Sequence, residues 1–401
     1  MKKNSFFDLI IVGGGLVGLA SAYKIQKEFP KKSILILEKE DSLASHQSGR
    51  NSGVLHSGLY YRPGSYRAKN CVSGREELVA YSKKNNVKHD VCGKIVIAVN
   101  KEEEKRLPSL LEIGKKNGLD NLKIIKKKEI LEIEPYAEGL SAIWVPQTGI
   151  IDYVGVANSL AKNILKINSE SKVLNRCKFL DCKKTKVYTN KGKFNANNII
   201  FCGGLFSDRL AKKDKIKLDL KIVSFRGEYY ELTEKSKHMV RNLIYPVPNP
   251  EFPFLGVHFT RMIDGSIECG PNAVFTFKRE GYNKGDFSFK DTFDALSYFP
   301  TWKLFFKHWK FGLNEMKRSY SKRLFLNQLK RIIPSLTMDD IKPGRSGVRA
   351  MSLGNNGEII DDFRIVNQGK NIHVLNAPSP AATACLSIGS EILNRYKKII
   401  V

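Results

Sequence analysis

The chain has 401 residues, of which 42% are hydrophobic and 27% charged, and its formal net charge is +27 at pH 7. That is enough apolar material for the cores of two intertwined domains, while no apolar run approaches the ~20 residues of a membrane span. The seven cysteines form no C-x-x-C pair and cannot all pair with one another, which excludes a disulfide scaffold and leads us to expect a reduced, cytoplasmic compartment.

The first elements are the most informative. Asp8–Val12 (DLIIV) reads as a strand, Gly13–Gly18 (GGGLVG) as a glycine turn entering a helix of small residues, and Ser33–Glu38 (SILILE) as a second strand ending in an acid. In that context Gly13 permits the tight turn, Gly15 lets a pyrophosphate approach the backbone, and Gly18 lets the helix pack on the strand. The helix start offers N–H groups and a positive dipole end to phosphates. Glu38, with Lys39 beside it, lies about twenty residues past the last glycine, where the fingerprint places an acceptor for ribose hydroxyls. The pattern predicts an adenine dinucleotide rather than a plain glycine turn. Lys2 and Lys3 ahead of Leu9–Val12 imitate a signal peptide, but removing that stretch would destroy the fingerprint.

Further along, a polar loop at 45–53 leads to a helix near 67–85, a strand at 93–99 and an amphipathic helix at 101–117. A helix is expected over 153–167, then a hairpin of 186–189 and 194–197 turning at 190–192. Asn198–Cys202 reads as a buried strand ending at Gly203 and Gly204, with a helix starting at Ser207 and Asp208. Strands dominate 219–232 and 254–276, and helices dominate 290–331. A strand at 371–375, a turn at 376–380 and a helix at 381–397 then repeat the opening pattern.

That return separates the flavin from the nicotinamide reading, because a nicotinamide dehydrogenase usually completes its dinucleotide domain in one contiguous stretch. The expected fold is α/β: a Rossmann-like FAD-binding domain (1–85, 145–210 and 340–401) interleaved with an α+β substrate domain of mixed sheet (86–144 and 211–339). The closing helix would aim its positive amino terminus at the flavin ring and stabilise its reduced anion.

The lysines are scattered in solvated pairs such as Lys31-Lys32 and Lys183-Lys184, so no nucleic-acid partner is expected, although the charge motivates a flavin-containing RNA-modifying protein as a rival. One stretch differs. Tyr298–Gly312 (YFPTWKLFFKHWKFG) interleaves aromatics with lysines and continues in basic residues to Arg331. It fits either an anionic membrane surface at the inner face of the cell membrane or a core-covering helix pair. On the membrane reading, electrons pass to a quinone rather than to oxygen.

Several blocks together, namely Asn51–Tyr61 (NSGVLHSGLYY), Phe225–Gly227 (FRG), Tyr245–Pro248 (YPVP), Phe252–His258 (FPFLGVH), Gly270–Val274 (GPNAV) and Asn376–Thr383 (NAPSPAAT), resemble the L-2-hydroxyglutarate dehydrogenase/oxidase family. That family belongs to the D-amino-acid-oxidase-like FAD superfamily. The resemblance runs over nearly the whole chain and implies FAD, a small dicarboxylate substrate, and oxidation of L-2-hydroxyglutarate to 2-oxoglutarate. Runner-up substrates within the superfamily are an amino acid or glycerol 3-phosphate. Where the family usually reads GPAGVRA, this chain has PGRSGVRA at 343–350, so Arg345 is an added cation near the expected site.

Hydride removal from C2 needs a base for the hydroxyl proton, and histidine suits neutral pH. His56, in the loop that runs along the flavin in this superfamily, and His258, in a substrate-domain strand, are the candidates. A carboxylate calls for arginine's planar fork. Arg349 matches the Gly-x-Arg position that the amino-acid oxidase relatives use for the α-carboxylate, and Arg261 and Arg226 are candidates for the distal one. Tyr60, Tyr61 and Tyr245 would close the pocket. For FAD, the expected contacts beyond the fingerprint and Lys39 are Ser48, Asn51 and Ser52 in the loop, Val173 toward adenine by analogy, Gly203 and Gly204 for close approach, and Ala382 and Thr383 at the opening of the last helix. No residue suggests a covalent flavin link, and no metal-ligand spacing is present.

Overall fold

Strand β1 (Phe6–Val12), helix α1 (Leu16–Glu28) and strand β2 (Ile34–Leu37) form in succession because apolar runs meet at the glycine turn. Leu9, Ile10, Ile11, Ile34, Leu35 and Ile36 are fully buried, each contributing about 1.5–3 kcal/mol relative to exposure. The structure is a computed structural model that describes residues 5–249 and 256–400. Lys2, Lys3 and the Phe252–Leu255 part of the FPFLGVH block lie outside the described residues.

β1 is the centre of an eight-stranded sheet. It pairs in parallel with β2 (Leu9 opposite Ile34) and with Gly192–Phe201 (Ile10 opposite Ile199). The parallel set is completed by Lys172–Leu174 on β2 and Asn371–Asn376 on Gly192–Phe201. Strands from the beginning, middle and end of the chain therefore share one sheet, which is the interleaving expected from sequence. α1 packs between the helix Tyr153–Ile167 and the closing helix Cys385–Ile400, where a Cβ on Gly389 would press on the Ala20 carbonyl oxygen at 2.8 Å.

A nine-stranded mixed sheet forms the second lobe. Its longest pairing is antiparallel, between Leu220–Leu232 and Ile341–Gly354, with Phe225 opposite Arg349. The expected division put 340–401 with the dinucleotide sheet. The ladder from Leu220/Gly354 to Leu232/Ile341 instead ties the strand Ile341–Gly354 to the second lobe. Two other expectations shift. The hairpin forms with Thr189 opposite Gly192, but its second strand runs unbroken into the parallel sheet as Gly192–Phe201. The last helix opens at Cys385 rather than Ala381, because Ala381–Ala384 close turns on Pro378 and Pro380.

The basic aromatic stretch folds as three short helices, Phe299–Lys307, Trp309–Tyr320 and Lys322–Leu329, and a fourth, Phe289–Leu296, leads into them. Leu304 and Phe325 anchor them to the second lobe, yet Phe289, Phe299, Phe306 and Tyr320 are 67–77% exposed. Among the described residues no helix is long and apolar enough to cross a membrane, and all seven cysteines are free.

Candidate active site

The glycine turn is a cradle cut to fit backbone, leaving no room for side chains. Gly13 has φ +115°, a conformation that favours glycine, and a Cβ there would overlap the Cys202 carbonyl oxygen. A Cβ on Gly18 would overlap the Gly13 carbonyl oxygen, so both positions require glycine. At the N-cap of α1, Gly15 offers no side chain to the helix end, and the first turn carries no acid, which keeps the positive end available to a phosphate. Glu38, at the end of β2, accepts from the Gly14 N–H (2.8 Å) and the Glu40 N–H (2.9 Å). It stands beside the turn, as a ribose acceptor must. Val173 lies on the adjoining strand, opposite Ile36. The chain's own residues fit a dinucleotide.

The polar loop mostly builds itself. Ser48 Oγ accepts from Leu16 N–H (2.9 Å), while the Asn51 amide donates to Ser48 O (2.8 Å) and accepts from Gly53 N–H. Gly203 packs under Leu210, and Gly204 takes φ +52° beside Gln47. Lys39 turns to Glu40, Glu280 and His46. Thr383 is fully buried, its hydroxyl lying 2.8 Å from Tyr153 Oη, 3.2 Å from Val54 O and 3.1 Å from the His56 N–H that it accepts. It therefore pins the His56 backbone instead of offering its hydroxyl outward. Ala382 precedes it in the same turn.

Across from the cradle, the nine-stranded sheet lines up a row of functional side chains. In the ladders Tyr245 lies opposite Val96, two residues from Lys94, while His258 continues the row on the next strand. Residues two apart on a strand share a face, so Lys94, Tyr245 and His258 stand on one side of three neighbouring strands. The geometry agrees: the His258 ring stacks on Tyr245 at 4.0 Å, and Lys94 Nζ sits 4.7 Å over the Tyr245 ring and 4.5 Å over the Tyr60 ring. The hydroxyls of Tyr60 and Tyr245 are buried; that of Tyr60 finds no hydrogen-bond partner among the described residues, while that of Tyr245 lies toward Thr260 and Ser52.

Burial holds both imidazoles neutral. His258 falls to about 4, chiefly through desolvation, with Arg349 and Lys94 adding to the effect. His56 falls to about 3, again through burial first, then Lys94, His258 and Arg67. These mutual influences put His56, His258, Lys94 and Arg349 around one space. His258 Nδ1 donates to Gly256 O at 2.9 Å, so its Nε2 is the lone-pair nitrogen. Arg349 donates to Asn272 O (3.1 Å), and its guanidinium lies against Gly227, where a Cβ would come within 3.2 Å of Nη1. Tyr61 carries Arg67 4.6 Å above its ring.

Two expected carboxylate receptors are elsewhere. Arg226 is one residue from Phe225, the partner of Arg349, so it projects from the opposite face, where Glu228 (2.8 Å) and the Asn283 carbonyl (2.8 Å) take its donors. Arg261 is three residues from His258 and likewise faces away, paired with Asp90 at 2.5 Å. Arg345, the added cation, is also structural. It pairs with Glu268 and donates to Gly49 O (2.9 Å) and Asn51 O (2.6 Å), clamping the polar loop to the second lobe. Ser52 leads from that loop into the strand Val54–Leu55, just ahead of His56. Sequence reasoning missed Lys94 altogether, although a lysine heading the otherwise apolar strand Lys94–Ala98 was a legible anomaly. The described residues contain one group with metal-ligand geometry, Glu40, His46 and Glu280, and Lys39 already occupies its centre.

The sequence profile of the FAD dependent oxidoreductase family matches residues 8–394. The chain is 46% identical over 389 residues to the L-2-hydroxyglutarate dehydrogenase of Indibacter alkaliphilus, covering 96% of this chain and 98% of that protein. It is 42% identical to the mitochondrial L-2-hydroxyglutarate dehydrogenase of Nematostella vectensis (98% and 91% covered) and 39% identical to the L-2-hydroxyglutarate dehydrogenase of Escherichia coli K12 (98% and 94% covered). In fold it resembles the FAD-bound L-α-glycerophosphate oxidase of Mycoplasma pneumoniae, with a TM-score of 0.79 at 22% identity and coverage of 98% and 95%. It also resembles the glycine oxidase of Geobacillus kaustophilus, with a TM-score of 0.73 at 15% identity and coverage of 98% and 95%.

Proposed function

This chain belongs to the FAD dependent oxidoreductase family, among the L-2-hydroxyglutarate dehydrogenases, and we propose that it oxidises L-2-hydroxyglutarate to 2-oxoglutarate over non-covalently held FAD. The observation that carries this reading is the convergence of the buried Lys94 amine and the half-buried Arg349 guanidinium on two neighbouring imidazoles that burial keeps neutral, opposite a dinucleotide cradle. Such a site has excess positive potential and wants an anion of more than one charge.

Bound FAD supplies the acceptor for the hydride that leaves C2. Arg349 grips the α-carboxylate through its fork and so fixes C2 and its hydroxyl in one orientation. His258 takes the hydroxyl proton at Nε2, and the Gly256 carbonyl on Nδ1 stabilises the imidazolium that results. His56 closes the dinucleotide side of the space, its backbone held by Thr383. Gly13 and Gly18 shape the turn so that the pyrophosphate meets the backbone at Gly15, Glu38 receives the ribose and the Val173 backbone the adenine. The thiols of Cys202 and Cys385 are pushed up to about 12 by burial, which leaves them without the thiolate a covalent flavin link needs and supports non-covalent binding.

Anaerobic mixing of the purified holoprotein with L-2-hydroxyglutarate tests this reading. The visible flavin absorbance should bleach promptly with the L enantiomer and far more slowly with D. An unchanged spectrum with both, in protein that carries flavin, overturns it.

We further propose that the four short helices dock on an anionic membrane surface and that electrons leave to a quinone there. Exposed Phe289, Phe299, Phe306 and Trp309 are interleaved with exposed Lys303, Lys307 and Lys310, the arrangement that places rings at headgroup depth and cations over phosphates. Co-sedimentation with vesicles of phosphatidylglycerol and phosphatidylcholine should be strong and salt-sensitive. Changing Phe299, Phe306 and Trp309 together to serine should reduce it at least tenfold without altering anaerobic bleaching. Equal sedimentation of the triple variant removes the membrane docking.

A further inference from the structure

Lys94 is 1% exposed, yet no carboxylate among the described residues forms an ion pair with it. The groups that face its amine are the rings of Tyr60 and Tyr245, the Cys71 thiol, and the imidazoles of His56 and His258. None brings a negative charge, since burial also pushes the Cys71 thiol up to about 12. A buried ammonium without a counter-ion is costly, and a packing role would be better served by an apolar side chain. The Tyr60 hydroxyl beside it is buried without a hydrogen-bond partner among the described residues as well. One carboxylate would satisfy both deficits at once. Its place is already implied by the row of side chains: His258 responds to both Lys94 and Arg349, so it stands in reach of the two cations.

We propose that Lys94, helped by the hydroxyls of Tyr60 and Tyr245, receives the second carboxylate of the substrate and so selects 2-hydroxy diacids over 2-hydroxy monoacids. This rests on the reading of the site as one that oxidises a 2-hydroxy acid held by Arg349. It also assigns a proton. Burial lowers the Lys94 amine to about 7 in the free protein, so above that pH it is largely neutral and must gain a proton when the diacid binds. Diacid affinity should therefore fall roughly tenfold per pH unit above about 7.

The test compares the wild-type holoenzyme with Lys94→Met on L-2-hydroxyglutarate and on L-2-hydroxypentanoate, which has the same five-carbon chain with a methyl group at C5. Wild type should favour the diacid in kcat/KM by on the order of 10²–10³, and Lys94→Met should bring that ratio near one. The variant should also lose the alkaline fall in kcat/KM. A retained ratio in the variant overturns the role of Lys94 alone, whereas a wild type that oxidises neither acid overturns the hydroxy-acid reading with it. Should Lys94→Met fail to hold FAD, Lys94→Gln, which keeps a polar side chain without the charge, is compared on the same two acids. A ratio near one there supports the assignment, and a retained ratio sinks it.

Discussion

Replacing Arg349 with alanine will lower kcat/KM for L-2-hydroxyglutarate on the order of 10³, with flavin content per protein unchanged. The scale follows from removing one partner of a buried charge pair, which costs about 2–5 kcal/mol, and from losing the orientation of C2. Flavin content should hold because Arg349 belongs to the second lobe, on the strand Ile341–Gly354, and not to the glycine cradle. The guanidinium is held ready for a carboxylate. Asn272 O fixes one edge, and Gly227 leaves space for the plane. Arg349→Lys should recover less than a tenth of the loss, since an ammonium has no fork to align a carboxylate. Both variants are measured by stopped-flow flavin reduction across substrate concentration. Wild-type reduction rates in Arg349→Ala would remove the α-carboxylate from this residue.

How far the sequence carried depends on what kind of constraint each feature obeys. The dinucleotide half was legible because its constraints are local: a strand, a turn that only glycine can make, and a helix within some thirty residues. The helices at Tyr66–Lys84 and Tyr153–Ile167 were legible for the same reason, through apolar periodicity. Substrate residues obey a non-local constraint, the register between strands far apart in the chain. His258 and Arg349 could be proposed from position, but what unites Lys94, Tyr245 and His258 is a row across three strands, which no single segment reveals. Lys94 was also hidden among 67 lysines and arginines. Part of the error on arginines was avoidable. Arg261 is an odd number of residues from His258 within one strand, so alternation alone puts it on the other face. Arg226 needed the ladder with Arg349 before its face was known. Arg345 departs from the family pattern yet clamps Gly49 and Asn51, so a change of sequence near the site brought a structural anchor and not a new substrate contact.

His258→Asn will lower kcat by about 10²–10⁴, the range that a positioned base contributes, with KM changed only modestly. Asparagine keeps a polar group near Gly256 O but has no nitrogen lone pair to accept the proton. His56→Asn should cost less, because among the described residues the His56 ring meets only the Ser379 hydroxyl, at 3.5 Å, whereas a carbonyl at 2.9 Å stabilises a charged imidazole at His258; a larger loss in His56→Asn exchanges the two roles. The pH profile gives an independent check. His258 must be neutral to act, and burial holds it at about 4, so kcat/KM should fall only as pH drops toward that value and stay level from there to neutrality. The bound substrate's two carboxylates raise the imidazole, so the acid limb of kcat lies at higher pH than that of kcat/KM. Protein stability falls in the same window and must be separated from catalysis. Both histidines are depressed on folding, from 6.5 to about 4 and about 3, so the unfolded chain binds more protons below pH ~6.5. Each then removes up to about 1.4 kcal/mol of stability per pH unit as pH falls through that interval. Flavin-fluorescence melts at each pH, run beside the rates, distinguish the two. In His258→Asn the catalytic acid limb near 4 should vanish, and the acid loss of stability should shrink to that of His56. A limb that persists in this variant assigns the proton to another group.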